Sequence, residues 1–274
     1  MPEGDTIHRA AAMLRAAIDG SVVTGFDAPR ARGSARPPEP GDQVERVEAR
    51  GKHLLIRFAG GTTLHTHMRM TGAWRTFPAG RSWRASGGRV VVVVRTEDAV
   101  AVCFAAPVVE MLDDGSLRRH PILSALGPDL CLPDPDMDEI VRRADRLDPR
   151  TEIGVALLDQ RVAAGIGNVY KSEVAFACRI DPFTPLADLD RDARADLWRT
   201  AGELLRRNLG PAPRRTTPYG LAVYDRAGRP CRVCGTAIAV RRQGEDARST
   251  WWCSTCQPPT PAVHDDAATA ERAE

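Results

Sequence analysis

Apolar residues recur at helical spacing from residue 3 to residue 18, and Gly20 then marks the end of this segment. Short apolar runs without intervening helices follow and predict antiparallel strands at 21–27, 43–50, 53–58, 62–68, 89–95 and 99–104. Helical periodicity returns further along the chain and predicts helices at 137–146, 152–163, 169–178 and 191–208. The pattern therefore predicts an α+β multidomain chain, in which an N-terminal antiparallel β-sandwich with flanking helices precedes a helical region.

Proline and turn residues divide the chain into candidate domains. The stretch 127–135, GPDLCLPDP, is predicted to link a domain at 1–126 to a helical domain at 136–222. Strand-like sequence around four cysteines predicts a C-terminal β-hairpin at 223–257. Residues 258–274 are rich in Pro, Ala and Asp, so we expect this tail to be disordered.

Composition and charge add few restrictions. The 274 residues are 43% hydrophobic and 27% charged, and the sequence contains no apolar run of about 18 residues that would predict a membrane span. The N-terminus lacks an apolar signal core, so we expect a cytoplasmic location. The net charge is only +2, but the tail 258–274 carries four acidic residues against one arginine, which leaves +5 on the rest. This excess suits a polyanionic partner and equally an ordinary solvated surface.

Four of the seven cysteines form two CxxC pairs, Cys231–Cys234 and Cys253–Cys256, with the 18 residues of a β-hairpin between the pairs. In a cytoplasmic chain this spacing is more typical of a metal site than of disulfides. Four thiolates complete a tetrahedral coordination shell and leave no open position, which predicts one structural Zn²⁺. Redox chemistry at either pair, and a purely stabilising role for the hairpin, are the alternatives.

A second candidate is the loop Gly165-Ile166-Gly167-Asn168 between two predicted helices. Glycine permits close backbone approach, and the following helix begins with free N–H groups and the positive end of its dipole, which together suit a phosphate. The Asn168 side chain could cap that helix or contact the phosphate itself. The same four residues would also form a plain turn between two helices.

The N-terminus is a third candidate. Initiator methionine is normally removed before proline, and its removal exposes Pro2 as a secondary amine that is partly neutral at pH 7. Such an amine attacks aldehyde-level carbons, including the anomeric carbon of deoxyribose, and forms an iminium ion. Glu3 could protonate the leaving group, and Lys52 would favour the neutral amine by like-charge repulsion. The same residues are equally an ordinary helix start with proline in its first turn.

Four segments occur in one order along residues 1–257, namely MPEGDTIHRAA, RGKHLL, GIGNVY and the four-cysteine finger. In this combination the chain resembles the formamidopyrimidine-DNA glycosylase/endonuclease VIII family, and its N-terminus looks like that of the second endonuclease VIII type of actinobacteria. The resemblance implies a β-sandwich, a helix-two-turn-helix domain and a zinc finger. It also implies damaged double-stranded DNA, or single-stranded or bubble DNA, held between the two halves of a monomer.

The resemblance implies roles for individual residues. Pro2 would be the Schiff-base nucleophile, Glu3 a proton donor, and Lys52 the donor or phosphate partner in β-elimination. Asn168 would bind the phosphate beside the lesion. Arg248 would clamp a phosphate and assist δ-elimination, for which the planar guanidinium group is well suited.

The enzyme class must also extrude the damaged nucleotide and fill the space that it leaves. Arg69 and Met70 match the intercalating segment of the family, and Met70 is a suitable apolar wedge. His65 and His67 lie on one strand face nearby, and we predict that they are structural rather than metal ligands.

Two departures from the family pattern affect the predicted activity. The family commonly has Pro-Glu where this chain has Asp5-Thr6, so a carboxylate that many members keep near the site is missing. The segment from Gly210 to Tyr224 is shorter than the loop of members specific for oxidised purines, which favours oxidised pyrimidines.

The sequence thus predicts a bifunctional base-excision-repair enzyme, a DNA glycosylase with abasic-site lyase activity that cuts the strand by β,δ-elimination. A damaged-DNA-binding protein with little or no catalysis is the alternative from another class, because Thr6 replaces a glutamate. An oxidised-purine glycosylase is the alternative within the class.

Overall fold

A computed structural model describes residues 2–33, 35–83 and 89–259 of this chain. The first of its two compact units comprises Met1–Asp136, Gln160–Gly167 and Leu205–Pro213. The second comprises Met137–Asp159, Asn168–Leu204 and Arg214–Glu274. Most of the tail expected to be disordered, 260–274, lies outside the described residues. The domain limits inferred from the sequence stay a prediction.

The first unit opens with α1 (Gly4–Ile18), which buries the apolar positions of the predicted helical repeat. Antiparallel strands then form two four-stranded sheets. Their bounds are β1 (Val23–Asp27), β2 (Val44–Arg50), β3 (His53–Phe58), β4 (Thr62–His67), β5 (Ala73–Pro78), β6 (Val90–Thr96), β7 (Ala99–Phe104) and β8 (Val108–Asp113). The helix α2 (Asp114–Arg118) follows β8, and the Asp113 carboxylate caps it by accepting the Ser116 N–H at 2.6 Å.

The two sheets share one hydrophobic core. Their strand orders are β1-β6-β7-β5 and β2-β3-β4-β8. Ile56 and Leu64 from the second sheet, Val92 and Cys103 from the first, and Leu14 from α1 are all buried in it. Burial of each large apolar side chain stabilises the fold by about 1.5–3 kcal/mol, so the core fixes α1 and, with it, the N-terminal end of the chain. The antiparallel N-terminal sheets predicted from the sequence are confirmed.

Two strands were missed by the sequence pattern. β5 lies at a sheet edge, where only one residue of the strand, Trp74, is fully buried. Its indole N–H donates to the Thr66 hydroxyl at 3.0 Å. β8 follows a chain reversal at Ala105, whose φ is +50°. It pairs with β4 in the second sheet, whereas the preceding strand β7 belongs to the first sheet. A single apolar stretch therefore supplies strands to both sheets.

Helices dominate the middle of the chain. They are α3 (Met137–Ala144), α4 (Ile153–Ala156), α5 (Asn168–Ala177), a 3₁₀ helix (Leu186–Asp188) and α6 (Arg191–Arg207). In the second unit the predicted hairpin is formed by β9 (Ala239–Gln243) and β10 (Arg248–Trp252). In the described part of the chain, the helices lack the combination of length and apolarity that crossing a bilayer requires.

The helix predicted at 152–163 is wrong beyond its first turn. Only α4 is helical, and the Gln160 carbonyl accepts the Gly127 N–H at 2.9 Å instead of closing a helical turn. Ala164 likewise donates to the Pro128 carbonyl at 2.9 Å and accepts from Leu130 at 3.1 Å. A Cβ on Gly127 would lie 2.2 Å from the Val162 carbonyl oxygen, so this approach requires glycine. Hydrogen bonds distant in sequence therefore override the helical pattern.

Candidate active site

In the first unit, hydrogen bonds hold the N-terminal residues against the glycine loop at residues 165–167. Glu3 is fully buried, and its Oε2 accepts the Gly167 N–H at 3.0 Å. Gly4 donates its backbone N–H to the Gly165 carbonyl at 2.9 Å. Pro2 is half-buried directly before these two anchored residues. Two hydrogen bonds to one loop therefore fix where the chain terminus lies.

Lys52 reaches the same loop from the turn between β2 and β3. Its ammonium group donates to the Ile166 carbonyl at 2.8 Å. The preceding Gly51 has φ +55°, and a Cβ there would lie 2.7 Å from the Ala164 Cβ. Two of the residues predicted to be catalytic, Glu3 and Lys52, thus meet on residues 165–167, and Pro2 directly precedes Glu3. Glu3 lies 164 positions from Gly167 and Lys52 lies 114 positions from Ile166, so packing alone brings them together.

Two polar residues that the sequence analysis missed hold this arrangement. Asp129 accepts the Gly51 N–H at 2.7 Å and bonds the His8 ring at 2.8 Å, so it joins the Lys52 turn to α1. Gln160 accepts the Gly165 N–H at 3.1 Å and donates to the Ile166 carbonyl at 3.0 Å. Asp129 lay in the predicted linker and Gln160 in a predicted helix, so no local signal indicated either role.

The unusual pair Asp5-Thr6 lies in the first turn of α1. Asp5 is fully buried, whereas Thr6 is half-buried and donates its hydroxyl to Asp5 Oδ1 at 3.2 Å. A buried carboxylate is therefore present within two residues of Glu3, although it stands one position from that of the family pattern. Burial, followed by the charges of Asp129 and Asp5, raises the pKa of the nearby Cys131 thiol well above its usual value.

Replacing Gly167 by alanine is expected to displace the Glu3 carboxyl group. The new Cβ would lie 2.4 Å from Glu3 Cδ, and both residues are buried, so one of them must move. We expect at least about a tenfold loss of the base excision that the resemblance implies, because catalytic groups tolerate little misplacement. Single-turnover excision assays would measure this loss, and thermal unfolding would show whether the variant is as stable as the parent protein.

Gly210→Ala is the matched control, since a Cβ at Gly210 would have no neighbour within 4 Å. It should retain the parent rate. A parent-like rate in Gly167→Ala would show that the Glu3–Gly167 contact is not needed for activity.

The predicted wedge lies in the turn between β4 and β5. Met70 is 63% exposed, and Arg69 beside it has φ +45°, a conformation unusual for a residue other than glycine. The Gly72 N–H donates to the Met68 carbonyl at 2.8 Å, and the Arg69 N–H donates to His67 Nδ1 at 3.1 Å. These bonds hold an apolar side chain at the tip of a closed turn.

In the second unit, side chains of α5 donate hydrogen bonds to strand β10 of the finger. Asn168 Nδ2 donates to the Ser249 carbonyl at 2.9 Å, and the ammonium group of Lys171 donates to the same oxygen at 3.1 Å. Lys171 is fully buried and also donates to the Thr250 hydroxyl at 2.7 Å. Asn168 Oδ1 is buried without a hydrogen-bond partner among the described residues. Asn168, the predicted phosphate ligand, is therefore hydrogen-bonded to Ser249, the residue that follows Arg248.

Arg248 itself is exposed at the start of β10. It borders an open cavity of about 470 Å³ together with Lys171 and Gln243. Its guanidinium group meets the exposed Asp246 carboxylate at 3.3 Å. Such an exposed pair contributes only about 0–1 kcal/mol, so Arg248 can exchange this partner for a phosphate at little cost.

Glu173 is a buried carboxylate that the sequence did not single out. Its two oxygens accept the backbone N–H groups of Ala222, Val223 and Tyr224 at 2.7–2.8 Å. It therefore fixes the end of the short segment that precedes the finger. A glutamate inside a periodic helix gives no sign of such a role until its partners are known.

The four predicted metal ligands converge in the finger. Cys231 Sγ lies 3.9 Å from Cys256 Sγ, Cys234 Sγ lies 3.4 Å from Cys253 Sγ, and all four sulfurs lie within 4.8 Å of one another. A tetrahedral zinc–thiolate site, with Zn–S bonds of about 2.3 Å, separates its sulfurs by about 3.8 Å. Disulfides would require about 2.05 Å. The cluster has the geometry of a site that could bind one metal ion.

The chain matches two family models. Residues 1–107 match the formamidopyrimidine-DNA glycosylase N-terminal domain, and residues 126–214 match the formamidopyrimidine-DNA glycosylase H2TH domain. A protein of Streptomyces coelicolor named probable endonuclease 8 2 is 43% identical over 94% of both chains. A Mycolicibacterium smegmatis protein named DNA-(apurinic or apyrimidinic site) lyase Nei2 is 40% identical over 94% of this chain and 99% of its own.

A solved structure has the same fold. Wild-type Lactococcus lactis Fpg (MutM), in a complex with DNA containing N7-benzyl-Fapy-dG, superimposes with a TM-score of 0.78. The match covers 94% of this chain and all of the other at 20% identity. An α+β arrangement of N-terminal sheets followed by an H2TH domain is thereby confirmed.

Proposed function

Because this chain belongs to the formamidopyrimidine-DNA glycosylase/endonuclease VIII family, we propose that it excises oxidised bases from DNA and cleaves the strand at the abasic site. Relatives of 40% and 43% identity carry the names of an abasic-site lyase and an endonuclease 8, which support both halves of this activity. The observation that carries the proposal furthest is that Glu3, which directly follows Pro2, and Lys52 both contact residues 165–167.

Pro2 is the proposed nucleophile. Its amine, once Met1 is removed, attacks the anomeric carbon of the damaged nucleotide and displaces the base. The bond from this carbon to the ring oxygen then breaks, the oxygen takes up a proton, and the opened sugar stays on Pro2 as an iminium ion. The iminium withdraws electrons, so the neighbouring C–H bond becomes acidic and the 3′ phosphate leaves by β-elimination. The anchored Glu3 and Gly4 support this role, since they hold the terminus at one position. A second elimination, δ, expels the 5′ phosphate, and hydrolysis of the iminium then frees Pro2 from the sugar fragment.

Glu3 and Lys52 act on the two leaving groups. Glu3 adjoins the nucleophile in sequence and is held by the Gly167 N–H, so it can protonate the departing base or sugar oxygen. Lys52 holds its ammonium group against the Ile166 carbonyl of the same loop, and this cation can stabilise the phosphate that leaves in β-elimination.

Three kinds of side chain bind the DNA in this proposal: a guanidinium cation, an amide and an apolar side chain that fills the gap in the base stack. Arg248 clamps a phosphate and assists δ-elimination. Asn168 binds the phosphate beside the lesion through Nδ2, which donates one N–H to the Ser249 carbonyl and has a second N–H for a phosphate oxygen to accept. Met70 fills the space left by the extruded nucleotide, with Arg69 beside it.

The finger holds one structural Zn²⁺ in this proposal. Cys231, Cys234, Cys253 and Cys256 supply the four ligands, and the sulfur separations suit a tetrahedral ion. Burial, and then the neighbouring thiols, raise the pKa of Cys256 to about 12, a cost that a divalent cation reverses by stabilising the thiolate. The ion would hold the hairpin in shape and take no part in the reaction.

Oxidised pyrimidines are the favoured substrates, because the short segment before the finger resembles the endonuclease VIII branch. The protein acts as a cytoplasmic monomer on damaged duplex DNA, and bubble or single-stranded DNA is a further substrate form to compare. We propose three domains for this enzyme. They are a catalytic domain at 1–126, a helix-two-turn-helix domain at 136–222 and a finger at 223–257.

Glu3→Gln is expected to separate the two activities. Removal of a proton-donating carboxyl group costs about 10²–10⁴ in rate, so excision of thymine glycol should fall by that factor. Cleavage of a preformed abasic site should fall much less, because no base has to leave. Gel assays on duplexes with thymine glycol, 8-oxoguanine or an abasic site would measure both steps.

The parent protein in the same assays decides between the alternatives. Preference for 8-oxoguanine over thymine glycol would favour an oxidised-purine glycosylase. Tight, salt-dependent binding of abasic DNA without any strand cleavage would favour the non-catalytic binding protein that Thr6 suggests.

A further inference from the structure

Gln243 ends strand β9 in the second unit and lies directly opposite Arg248, the first residue of β10. Opposite residues of an antiparallel pair place their side chains on the same face of the hairpin. Thr250 shares that face, because strand side chains alternate. Gln243 is only 5% exposed, whereas Arg248 is exposed, and both border the same open cavity. The residue opposite the proposed phosphate clamp is therefore a buried amide, which needs hydrogen-bond partners.

The amide of Gln243 is hydrogen-bonded to three separate segments of the second unit. Its Nε2 donates to Glu152 Oε2, directly before α4, at 2.9 Å and to the Pro182 carbonyl at 2.8 Å. Its Oε1 accepts the Thr250 hydroxyl at 2.7 Å. Both N–H groups and the oxygen of the amide thus have partners. Gln243 therefore joins the hairpin both to the start of α4 and to the loop that follows α5.

The partners also determine which end of the amide faces which side. The Lys171 ammonium group only donates, and it donates to the Thr250 hydroxyl at 2.7 Å, so the Thr250 hydrogen is directed at Gln243 Oε1. On the other side, the Glu152 carboxylate and the Pro182 carbonyl accept, so they require the N–H₂ end. A carboxylate at position 243 would instead place an acceptor against two acceptors.

The contact between this amide and α4 leaves no space for a further atom. A Cβ on Gly154 would lie 2.8 Å from Gln243 Nε2 and closer still to its Oε1. Glycine at position 154 therefore lets the amide lie directly against the backbone of α4. The Gly154 N–H donates to the Pro182 carbonyl at 2.8 Å, and the same oxygen accepts from Gln243. These contacts fix the distance between the end of β9 and α4.

The turn between the two strands is closed by its own hydrogen bonds. The Ala247 N–H donates to the Gly244 carbonyl at 3.0 Å, and Arg242 Nη1 donates to the Ala247 carbonyl at 3.0 Å. Gln243 and Arg248 are paired at the two ends of this turn, so the backbone of Arg248 follows that of Gln243. Because the Arg248 side chain is exposed, the place where β10 begins sets what its guanidinium group can reach.

We propose that Gln243 is a positioning residue for Arg248, and that its anchored amide sets where the guanidinium group meets the phosphate that leaves in δ-elimination. In that step C4′ loses a proton to solvent and the C5′–O bond breaks, so the phosphate leaves with the electron pair. A guanidinium group stabilises this negative charge only where it is correctly placed. This role rests on the proposed function, in which Arg248 assists δ-elimination and Lys52 assists β-elimination.

Gln243→Glu tests the anchor, because it keeps the size of the side chain and replaces the donor by an acceptor. The new carboxylate would face the Glu152 carboxylate and the Pro182 carbonyl, and their repulsion would move the turn away from α4. Single-turnover gel assays on DNA with a preformed abasic site separate the products of β- and δ-elimination. We expect δ-elimination to slow by about tenfold and β-elimination by no more than about threefold, since Lys52 belongs to the first unit.

Exchanging the two polar groups should restore the anchor. When Gln243→Glu is combined with Glu152→Gln, the amide at position 152 can donate to the carboxylate at position 243, and the Thr250 hydroxyl can still donate to that carboxylate. We expect the rate of δ-elimination to return to within about threefold of the parent. A hairpin that was merely less stable would slow both eliminations alike, so the ratio of the two rates distinguishes positioning from stability.

Gln43→Glu is the matched control, since it makes the same chemical change on the surface of the first unit. The amide of exposed Gln43 donates to the Gly20 carbonyl at 3.0 Å. This variant should change neither elimination rate by more than about twofold. Thermal unfolding of all the variants would show that the comparison is made between folded proteins.

An unchanged ratio of δ- to β-elimination in Gln243→Glu would overturn the positioning role, whether both rates stay at the parent value or fall together. A selective loss that the exchange with Glu152 fails to restore would overturn that anchor. In the parent protein, NMR should show slow hydrogen exchange of the Gln243 side-chain amide, and rapid exchange would overturn the anchor without any variant. A parent protein without δ-elimination would contradict the proposed function instead, and the amide exchange would still report on the anchor.

Discussion

Blocking the Pro2 amine should abolish covalent trapping of the protein on abasic DNA. An N-terminal extension, or retention of Met1, turns the amine into an amide, which cannot form an iminium ion. Borohydride reduces such an ion to a stable adduct, and we expect its yield to fall by at least about a thousandfold, as when a nucleophile is lost. Denaturing gels would quantify the adduct, and mass spectrometry of the parent adduct should place the sugar on Pro2.

The control is the same extension placed at the C-terminus, after Glu274, where it should leave trapping unchanged. Binding of abasic DNA should stay within a few-fold in both proteins, since the cationic side chains are retained. Full trapping by the N-terminally extended chain would rule out Pro2 as the nucleophile and would move the search to Lys52.

Cys253→Ser should remove the metal and unfold the finger. Cys253 is fully buried and packs with Val223 and Ile238 in the small core of the finger. A structural zinc ion contributes about 10–16 kcal/mol in isolated fingers, which exceeds what so few apolar contacts supply. Zinc content should fall from one ion per chain to nearly none, and hydrogen exchange should accelerate across 231–257.

Strand cleavage should fall by more than about a hundredfold in the same variant, because Arg248 is held on β10 of this hairpin. Cys178→Ser is the matched control, since Cys178 is half-buried outside the cluster and its thiol donates to the Thr200 hydroxyl at 3.5 Å. It should keep its zinc, its protection and its activity. Retention of both zinc and cleavage by Cys253→Ser would contradict a four-cysteine site.

The four-cysteine cluster was predictable from the sequence because the contacts that form it are local. A CxxC turn brings two thiols together whatever the rest of the fold does, and an 18-residue spacer folds back as a hairpin. β9 and β10 form the hairpin that this spacing predicts. The first helix and most N-terminal strands were predictable for a similar reason, since apolar periodicity reports on neighbours a few residues away.

Failures of the sequence prediction occurred where distant hydrogen bonds compete with local preference. Residues 157–163 have a helical pattern, yet the Gln160 carbonyl and the Ala164 N–H bond to residues 127 and 128 instead. β5 was missed because an edge strand buries few of its side chains and so has a weak apolar pattern. Propensities of a few tenths of a kcal/mol per residue give way to such tertiary contacts.

The sequence by itself determined the residue types of the candidate site, the four cysteines of the cluster and the order of the family motifs. Only the tertiary structure decided that Glu3 and Lys52 meet on residues 165–167, that Asp129 and Gln160 support them, and that His65 contacts both Glu110 and His53. The physical reason is the distance along the chain over which a sequence pattern can specify a contact. Spacing along the chain specifies contacts within a helical turn or a hairpin, whereas the direction of a hydrogen bond between strands depends on which donors the fold brings to each acceptor.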